Sequence, residues 1–327
     1  MPFFQRIVSV TYTFSRRKAL SPIIELSGVT KQYGGFRVLD DVAVRVEPGI
    51  TGLLGPNGSG KSTLIKAILG LVRSQQGSGT VLGLPWPEQV REIRDLVGYL
   101  PEDDCYIAGL TGIEAVAFMA NLSGLPRIEG LRRAHEITDF CDIGEEKYRP
   151  VESYSTGMRQ KLKFAQALVH DPPFLILDEP TTGLDPDQRE AMLRRIRTLA
   201  NDHGKSILLS THILPDVKAV CDQVIILARG QVRVIDSLHN LSKPAEPTLN
   251  VVVYGESKAF LSGLSEAGHE VVSHADGTLK IAGIGTDQVS TIWDLAATTG
   301  TSIRRLVPAQ NSLEEIFFQA VSTAEAN

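Results

Sequence analysis

The 327-residue sequence lacks several features that define common classes of protein. It has no apolar run of the roughly 18 residues that a membrane-spanning helix needs, which argues against an integral membrane protein. Its three cysteines are widely spaced, which excludes a disulfide scaffold or a cysteine-based zinc site and is typical of a reducing compartment. It also lacks a basic excess, since 33 lysines and arginines face 38 acidic residues, and this argues against a protein that acts mainly on nucleic acid.

Composition and length predict two folded domains of unequal size. Hydrophobic residues make up 43% and charged residues 22%, which suits a packed core, and a single domain usually has roughly 100–200 residues. The predicted parts are an N-terminal extension at 1–21, a large domain at 22–238, a linker with two prolines at 239–248 and a small domain at 249–327. Three interpretations of the basic extension stay open: a simple extension, an arm that contacts anionic lipid, or a targeting peptide.

Strands alternate with helices along the large domain. Apolar strands are predicted at Ile50–Leu54 and Phe174–Leu177, and helices at Ser62–Leu71 and 187–201. This alternation is typical of an α/β fold with a largely parallel sheet. Between these elements, helical patterns dominate about 105–170, which predicts an inserted helical subdomain.

A second pattern begins after the linker. Its predicted order is β-α-β-β-α-β, with a tight turn at Asp276-Gly277 between the two middle strands. This order is typical of a ferredoxin-like α+β fold. A last amphipathic helix is predicted at Ser312–Val321.

A glycine-rich segment separates the strand Ile50–Leu54 from the helix that follows. Gly55–Ser62 (GPNGSGKS) fits the pattern G-x-x-x-x-G-K-[ST] in full. Its glycines let the backbone curl around an anion, and the helix N-terminus adds partial positive charge. We expect Lys61 to reach the β- and γ-phosphates of a nucleoside triphosphate and the Ser62 hydroxyl to ligate Mg²⁺.

Two acidic residues follow the strand Phe174–Leu177. Because buried parallel strands deliver their last side chains to one edge of the sheet, Asp178 and Glu179 should lie beside the phosphate loop. We expect Asp178 to hold the Mg²⁺ through water and Glu179 to take a proton from an attacking water. The pattern therefore predicts hydrolysis of the bound triphosphate.

In this order the motifs resemble those of ATP-binding cassette (ABC) ATPases, over about 23–236. The resemblance implies a P-loop NTPase fold with a RecA-like core, a helical subdomain and an antiparallel β portion. It also implies that Tyr33 stacks on adenine and that Tyr154–Met158 is the signature that covers the γ-phosphate of another subunit's ATP. The implied catalytic residues are Glu179, His212 and Lys61, and the implied metal ligands are Ser62, Glu102 and Asp178. The implied ATP contacts are Tyr33, Gly55, Pro56, Asn57, Gly58, Ser59, Gly60, Lys61, Ser62, Thr63, Tyr154, Ser155, Thr156, Gly157, Met158 and Asp185.

Two features depart from the usual pattern of the family. Glu102 stands where the family usually has Gln, so a charge is added and, unless it is protonated, a donor is lost. Thr156 and Met158 replace the commoner Gly and Gln of the signature, and a β-branched residue restricts the approach of other backbone. Both departures, and the tail Ser312–Phe317, are similar to the subgroup that serves two-gene (ABC-2-type) exporters, although the tail is explained as well by an amphipathic packing helix.

The chain contains one phosphate loop and one signature. Since each complete site of the family combines the loop of one cassette with the signature of another, the resemblance implies a dimer with an identical chain or a close homologue. It further implies ATP and Mg²⁺ as cofactors, a separate integral-membrane permease subunit, no nucleic-acid partner, and a cytoplasmic location at the inner face of the cell membrane. Two alternatives stay open: a soluble cassette that remodels ribosomes or DNA, and a regulatory cassette whose small domain senses a ligand.

Overall fold

The computed structural model describes residues 21–244, 246–254, 258–273, 277–284 and 288–326. The predicted N-terminal extension, apart from residue 21, lies outside the described residues, as does Asp276 of the predicted turn. The chain divides into two compact units, of which the first ends at Ile235 and the second begins at Asp236. This division lies close to the domain boundary predicted at residue 238.

The first unit contains alternating strands and helices. Its strands are β1 (Ile24–Tyr33), β2 (Phe36–Val46), β3 (Ile50–Leu54), β4 (Gln76–Val81), β5 (Leu84–Trp86), β6 (Val97–Leu100), β7 (Phe174–Asp178), β8 (Ser206–Thr211), β9 (Gln223–Ala228) and β10 (Gln231–Ser237), the last of which runs into the second unit. Its helices are α1 (Lys61–Ile68), α2 (Val90–Asp95), α3 (Gly112–Leu122), α4 (Arg127–Phe140), α5 (Thr156–Leu168), α6 (Pro186–Asn201) and α7 (Leu214–Val220).

The central sheet of this unit has the strand order β10-β9-β3-β8-β7-β6. β3 pairs in parallel with β8 and β9, and β7 pairs in parallel with β8 and β6. β3, β7 and β8 are buried along their whole length, as parallel strands covered on both faces should be. The predicted α/β fold with a largely parallel sheet is therefore confirmed.

An antiparallel sheet, in the order β2-β1-β4-β5, forms the β portion that the family resemblance implies. β1 and β2 form a hairpin that turns at Gly34-Gly35, and β1 also pairs with β4. Val42, Val44 and Val46 alternate with exposed residues along β2, so one face of this strand is buried. These side chains share one hydrophobic core with α1 and the central sheet.

The region predicted as a helical subdomain contains α3, α4 and α5, with 3-10 turns at Gly144–Tyr148 and Val151–Ser153. α3 begins with a capping box, in which the side chains of Thr111 and Glu114 each accept from the other's backbone N–H. At the start of α5 the Ser155 hydroxyl accepts from the N–H of Met158 at 3.3 Å. Side-chain caps thus define where both helices begin.

The second unit has its own sheet and core. Its strands are β11 (Thr248–Tyr254), β12 (Val271–Ser273), β13 (Thr278–Ala282) and β14 (Ser302–Pro308), and its helices are α8 (Leu238–Leu241), α9 (Lys258–Glu266), α10 (Val289–Thr299) and α11 (Leu313–Ala326). The strand order β12-β13-β11-β14, with antiparallel pairing throughout, is that of a ferredoxin-like fold. Phe260 and Leu264 of α9 and Ile292 of α10 share one hydrophobic core with the strands of this sheet. The predicted fold of the small domain is confirmed.

Two elements differ from the predicted pattern. α1 ends at Ile68 rather than Leu71, because Gly70 adopts a left-handed φ of 64° that terminates the helix. The segment predicted as a linker contains most of α8, which is capped by Ser237. Within the described part of the chain, no helix is both apolar and long enough to cross a bilayer.

Candidate functional site

The carboxyl ends of four neighbouring parallel strands bring the predicted motifs to one edge of the central sheet. Leu54, the last residue of β3, pairs with Thr211 of β8, and Ser210 of β8 pairs with Asp178 of β7. β6 lies on the other side of β7 and ends in the same register. The segments that follow these strand ends carry the phosphate loop, His212, Glu179 and Glu102.

The phosphate loop turns sharply into α1. Gly60 has a φ of +106°, and a Cβ there would lie 2.9 Å from the carbonyl oxygen of Val38, so glycine is required. No side chain caps α1 and its first turn contains no acidic residue, so the N–H groups at the helix start are available to an anion. Lys61 Nζ donates to the carbonyl of Gly55 at 2.8 Å and to that of Pro56 at 3.3 Å. The ammonium therefore lies across the loop that a triphosphate would fill.

Negative charge exceeds positive charge around Lys61. Burial lowers the pKa of Lys61, while the nearby carboxylates of Glu179, Asp178 and Glu102 act in the opposite direction. The negative charges of three acidic residues therefore act on one ammonium.

Asp178 is a buried carboxylate that no protein donor satisfies. It is 1% exposed, and neither carboxylate oxygen accepts a hydrogen bond from any described residue. Burial raises its pKa, opposed by the nearby hydroxyls of Ser210 and Ser62. Nowhere in the described ranges do three His, Cys, Asp or Glu side chains form a metal cage. An unsatisfied carboxylate near the hydroxyl of the predicted ligand Ser62 fits Mg²⁺, which typically takes few protein ligands and completes its shell with phosphates and waters.

Glu179 is held from several sides in an unusual backbone conformation. Its φ is +53°, a region that non-glycine residues seldom occupy and that is often associated with functional sites. Its N–H donates to Ser210 O at 3.0 Å, and its carbonyl accepts from Gln160 Nε2 at 3.0 Å. Its carboxylate accepts from the Thr182 hydroxyl at 3.1 Å and lies 3.0 Å from His212 Nδ1. These contacts orient a carboxylate that is 5% exposed and that the sequence predicts as the general base.

His212 contacts Glu179 directly, which motivates a mutational test. A carboxylate only accepts, so Nδ1 is the donor in this bond. We expect His212→Ala to lower ATP turnover about 10- to 150-fold, since losing a hydrogen bond to a charged group costs about 1.5–3 kcal/mol. Steady-state phosphate release measures this effect, with His239→Ala in the second unit as the control. A His212→Ala enzyme with unchanged turnover would remove this residue from the catalytic set.

The predicted signature lies at the start of α5. Ser155 and Thr156 are exposed there, whereas Gly157 is buried. A Cβ at Gly157 would overlap the side chain of Gln188, so the glycine allows α5 to approach α6 closely. The exposed, serine-capped start of a 13-residue helix has the donor geometry that an incoming phosphate needs.

Three predicted contact residues lie apart from this cluster. The Tyr33 ring is 48% exposed at the hairpin tip, with Lys31 Nζ 4.7 Å from its centroid, and adenine stacking there stays a prediction. Tyr154 is buried, and its hydroxyl donates to the carbonyl of Glu146 at 2.7 Å. Its side chain therefore packs within the helical subdomain, and its assignment as a nucleotide contact stays a prediction. Asp185 caps α6 by accepting from the N–H of Gln188 at 2.9 Å.

Several residues around the site escaped the sequence analysis. Gln160 and Thr182 both bind Glu179, but only Thr182 is close to it in sequence. A buried carboxylate, Asp216 of α7, accepts from the Thr181 hydroxyl and from Arg189 Nε, each at 2.6 Å. This network connects the segment after Glu179 with the helix after His212. Sequence spacing does not predict this network, because its members come from three separate segments of the chain.

Comparison with known proteins agrees with the geometry of this site. The family model for ABC transporters matches residues 39–182. The ABC transporter ATP-binding protein YdbJ of Bacillus subtilis is 32% identical over 302 residues, which cover 92% of this chain and 96% of that protein. The Nod factor export ATP-binding protein I of Sinorhizobium fredii is 33% identical over 297 residues, or 90% of this chain and 85% of that protein.

A solved structure supports the same fold. It is a dimeric bacterial ABC transporter cassette that is 25% identical to this chain, with a TM-score of 0.61. The match covers 66% of this chain and 98% of that one. The P-loop cassette fold predicted from the motifs is therefore confirmed for that share of the chain.

Proposed function

This chain belongs to the ABC transporter family and is an ATP-binding, ATP-hydrolysing subunit of a transporter; from this premise we propose that it powers an exporter through a separate membrane permease. The observation that carries the proposal is the division of the site. The phosphate loop, Asp178 and Glu179 converge at one sheet edge, while the serine-capped start of α5 is exposed. We assign that exposed helix start to the γ-phosphate bound by a second cassette.

In the proposed reaction, water attacks the γ-phosphorus of ATP, the bond from that phosphorus to the β,γ-bridging oxygen breaks, and ADP and phosphate are released. The carboxylate of Glu179 accepts the proton of the attacking water, and the hydrogen bonds from His212 and Thr182 keep it oriented for this step. Lys61 moves its donors from loop carbonyls to phosphate oxygens when the triphosphate enters. The loop amides and the start of α1 hold the remaining phosphate charge.

A magnesium ion would be held by Asp178, Ser62 and Glu102. When bound, it neutralises charge on the phosphates during phosphoryl transfer. Asp178 is the strongest candidate ligand, because its burial without a hydrogen-bond donor leaves both oxygens available. Glu102 adds a further negative charge near Lys61.

In the proposed cycle ATP joins two cassettes and hydrolysis releases them. The attraction depends on the ligand, since Ser155 and Gly157 have an anion to bind only while the γ-phosphate is present. The dimeric bacterial ABC transporter cassette to which this chain is similar supports this arrangement. Opening and closing of the pair would transmit work to the permease.

A charge placed at the signature tests the dimer. In a Glu179→Gln background we expect Mg²⁺ and ATP, but not ADP, to shift the chain from monomer to dimer in sedimentation velocity. Adding Ser155→Asp should prevent that shift while ATP binding persists, because aspartate still caps α5 but repels the phosphate. Ser155→Asn is the matched control, since asparagine caps as well without the charge. Dimerisation of the Ser155→Asp chain would contradict a phosphate contact at this helix.

The proposed permease contact lies on the helical subdomain near Glu102. Within the helical subdomain, α3 and α4 expose large apolar side chains, among them Leu122 at 66% and Ile128 at 87% exposure. Tyr106 and Ile107, which follow Glu102 closely, are exposed as well. We place the chain at the cytoplasmic face of the membrane on this basis, and the relative named for Nod factor export supports export as the direction.

Affinity purification of the tagged full chain from native membranes tests the partner. We expect recovery of a polytopic membrane protein, and loss of that recovery when Leu122 and Ile128 are both changed to Glu. The same double variant should retain ATP binding, which controls for folding. Recovery with ribosomes or DNA instead would favour the non-transport alternative.

A further inference from the structure

Two basic side chains of α5 hold the segment that follows β6. Arg159 and Lys163 are four residues apart on this helix, so they lie on the same face. Both contact the segment 101–106, which contains the proposed metal residue Glu102. The signature helix is thus bound by side chains to the loop beside the metal site.

Lys163 makes the more complete of the two attachments. Its Nζ donates to the carbonyls of Pro101 at 3.1 Å, Glu102 at 3.0 Å and Asp103 at 3.4 Å. An ammonium has three donors, so all of its hydrogen-bonding capacity goes to consecutive backbone carbonyls. The lysine is only 6% exposed, and burial lowers its pKa against the opposing charge of nearby Asp104.

Arg159 adds a second attachment farther along the segment. Its guanidinium is 3.1 Å from the Asp104 carboxylate and 5.0 Å from the centroid of the Tyr106 ring. This ion pair is partly exposed, so solvent weakens it, and it contributes less than a buried contact would. We therefore assign the main anchoring role to Lys163.

The same helix also reaches the catalytic base. Gln160, between the two basic residues, donates to the carbonyl of Glu179. One rigid element therefore begins at the proposed phosphate contact, Ser155, and holds both the base and the loop that carries Glu102. Lys163 lies eight residues beyond Ser155, about 12 Å along the helix.

We propose that Lys163 is a positioning residue, which fixes the backbone of 101–103 so that Glu102 faces the nucleotide's metal ion. This inference rests on the metal role proposed for Glu102. It also makes any movement of α5 at the signature a movement of the metal loop, because the three carbonyls are bound to the helix.

Proteolysis tests the anchor without relying on catalysis. A glutamate-specific protease should cut after Glu102 faster when the backbone carbonyls of 101–103 leave Lys163, because the freed segment can enter the protease more readily, so a change in cleavage rate reports a change in the open population. For Lys163→Met we expect the cleavage rate to rise at least about tenfold, because the loss of a charged hydrogen-bonding group makes the open segment more populated by about that factor. Lys163→Arg should stay near the wild-type rate, because a guanidinium also donates to several carbonyls. Cleavage after Glu190 in α6 is the internal reference for global unfolding.

Lys161 provides the matched control on the same helix. Its Nζ binds the carbonyl and carboxylate of Asp142, away from the metal loop. Lys161→Met should therefore leave cleavage after Glu102 unchanged. An unchanged cleavage rate in Lys163→Met, or an equal rise in both lysine variants, would overturn the anchor.

Magnesium dependence tests the consequence. We expect Lys163→Met and Glu102→Ala each to raise the Mg²⁺ concentration for half-maximal ATPase activity about tenfold. The double variant should show no further rise, since one residue acts through the other. Positioning by Lys163 would be refuted if the two substitutions raised the required Mg²⁺ concentration additively. It would also be refuted if Glu102→Ala raised that concentration and Lys163→Met did not. An unshifted Glu102→Ala would instead refute the proposed metal role of Glu102, and the inference with it.

Discussion

Glu179→Gln is expected to lower ATP turnover about 100- to 10,000-fold, which is the usual contribution of a general base. Glutamine has the shape of the native side chain, so it can keep the contact with Thr182, but its amide accepts no proton at neutral pH. Nucleotide affinity should not fall, because Glu179 is assigned to the attacking water rather than to ATP and the substitution removes a negative charge near the triphosphate. Single-turnover phosphate release and equilibrium binding of a fluorescent ATP analogue measure the two quantities separately.

The control for this variant is Glu190→Gln. Glu190 is an exposed acid on α6 that pairs with Arg194, so its neutralisation removes the same charge without touching the site. We expect Glu190→Gln to hydrolyse ATP at the wild-type rate. Hydrolysis by Glu179→Gln at close to the wild-type rate would assign the base elsewhere, and Asp178 would be the first residue to reconsider.

Lys61→Ala is expected to reduce ATP affinity more than about 100-fold. The lysine is the single basic side chain within the phosphate-loop motif Gly55–Ser62, and a charge-assisted hydrogen bond contributes about 1.5–3 kcal/mol. Alanine at this position also leaves Asp178, Glu179 and Glu102 without the opposing ammonium, so their repulsion of the triphosphate increases. Isothermal titration calorimetry with ATP, in the presence and absence of Mg²⁺, measures the loss.

Lys66→Ala is the comparison for that experiment. Lys66 lies in the last turn of the same helix as Lys61, α1, but it is not part of the phosphate loop. Its removal should leave ATP affinity within about twofold of wild type, since surface charges distant from a ligand have small effects. Equal affinity in Lys61→Ala and wild type would refute the role of the loop lysine, whereas equal loss in both variants would indicate damage to α1.

The contacts around Glu179 suggest why one helix matters for both halves of the proposed cycle. α5 presents Ser155 at its start and donates from Gln160 to the carbonyl of Glu179. The left-handed backbone of Glu179 persists because these neighbours hold it, and such conformations cost about 1–3 kcal/mol. A phosphate at the signature would therefore act on a helix that already touches the catalytic backbone.

Sequence was sufficient for much of the architecture. Fully apolar strands such as Phe174–Leu177 indicate a buried parallel sheet, because the strands of a parallel sheet are covered on both faces. Parallel strands also end at one edge, so the sequence analysis could place Asp178 and Glu179 beside the phosphate loop before any coordinates. The ferredoxin-like order of the second unit followed from the alternation of elements alone.

Helix ends and individual side chains were less predictable. α1 stops before Leu71 because Gly70 turns left-handed, although the apolar pattern continues past it. Tyr154 belongs to a motif that the resemblance assigns to nucleotide, yet its hydroxyl bonds within the helical subdomain. Asp185 caps α6. This local role fits the sequence as well as a nucleotide contact does, because Asp185 directly precedes Pro186, a residue that favours the first position of a helix.

Hydrophobic periodicity and motif order thus specified which strands form the sheet and which segments reach its edge, because both depend on local patterns of a few residues. Folding settled the partners of single polar atoms: Lys163 with three carbonyls, Gln160 with Glu179, and Asp216 with Thr181 and Arg189. Such pairs join residues up to 62 positions apart, as between Lys163 and Pro101. Their bonds depend on ångström distances between packed elements, which no spacing along the chain encodes.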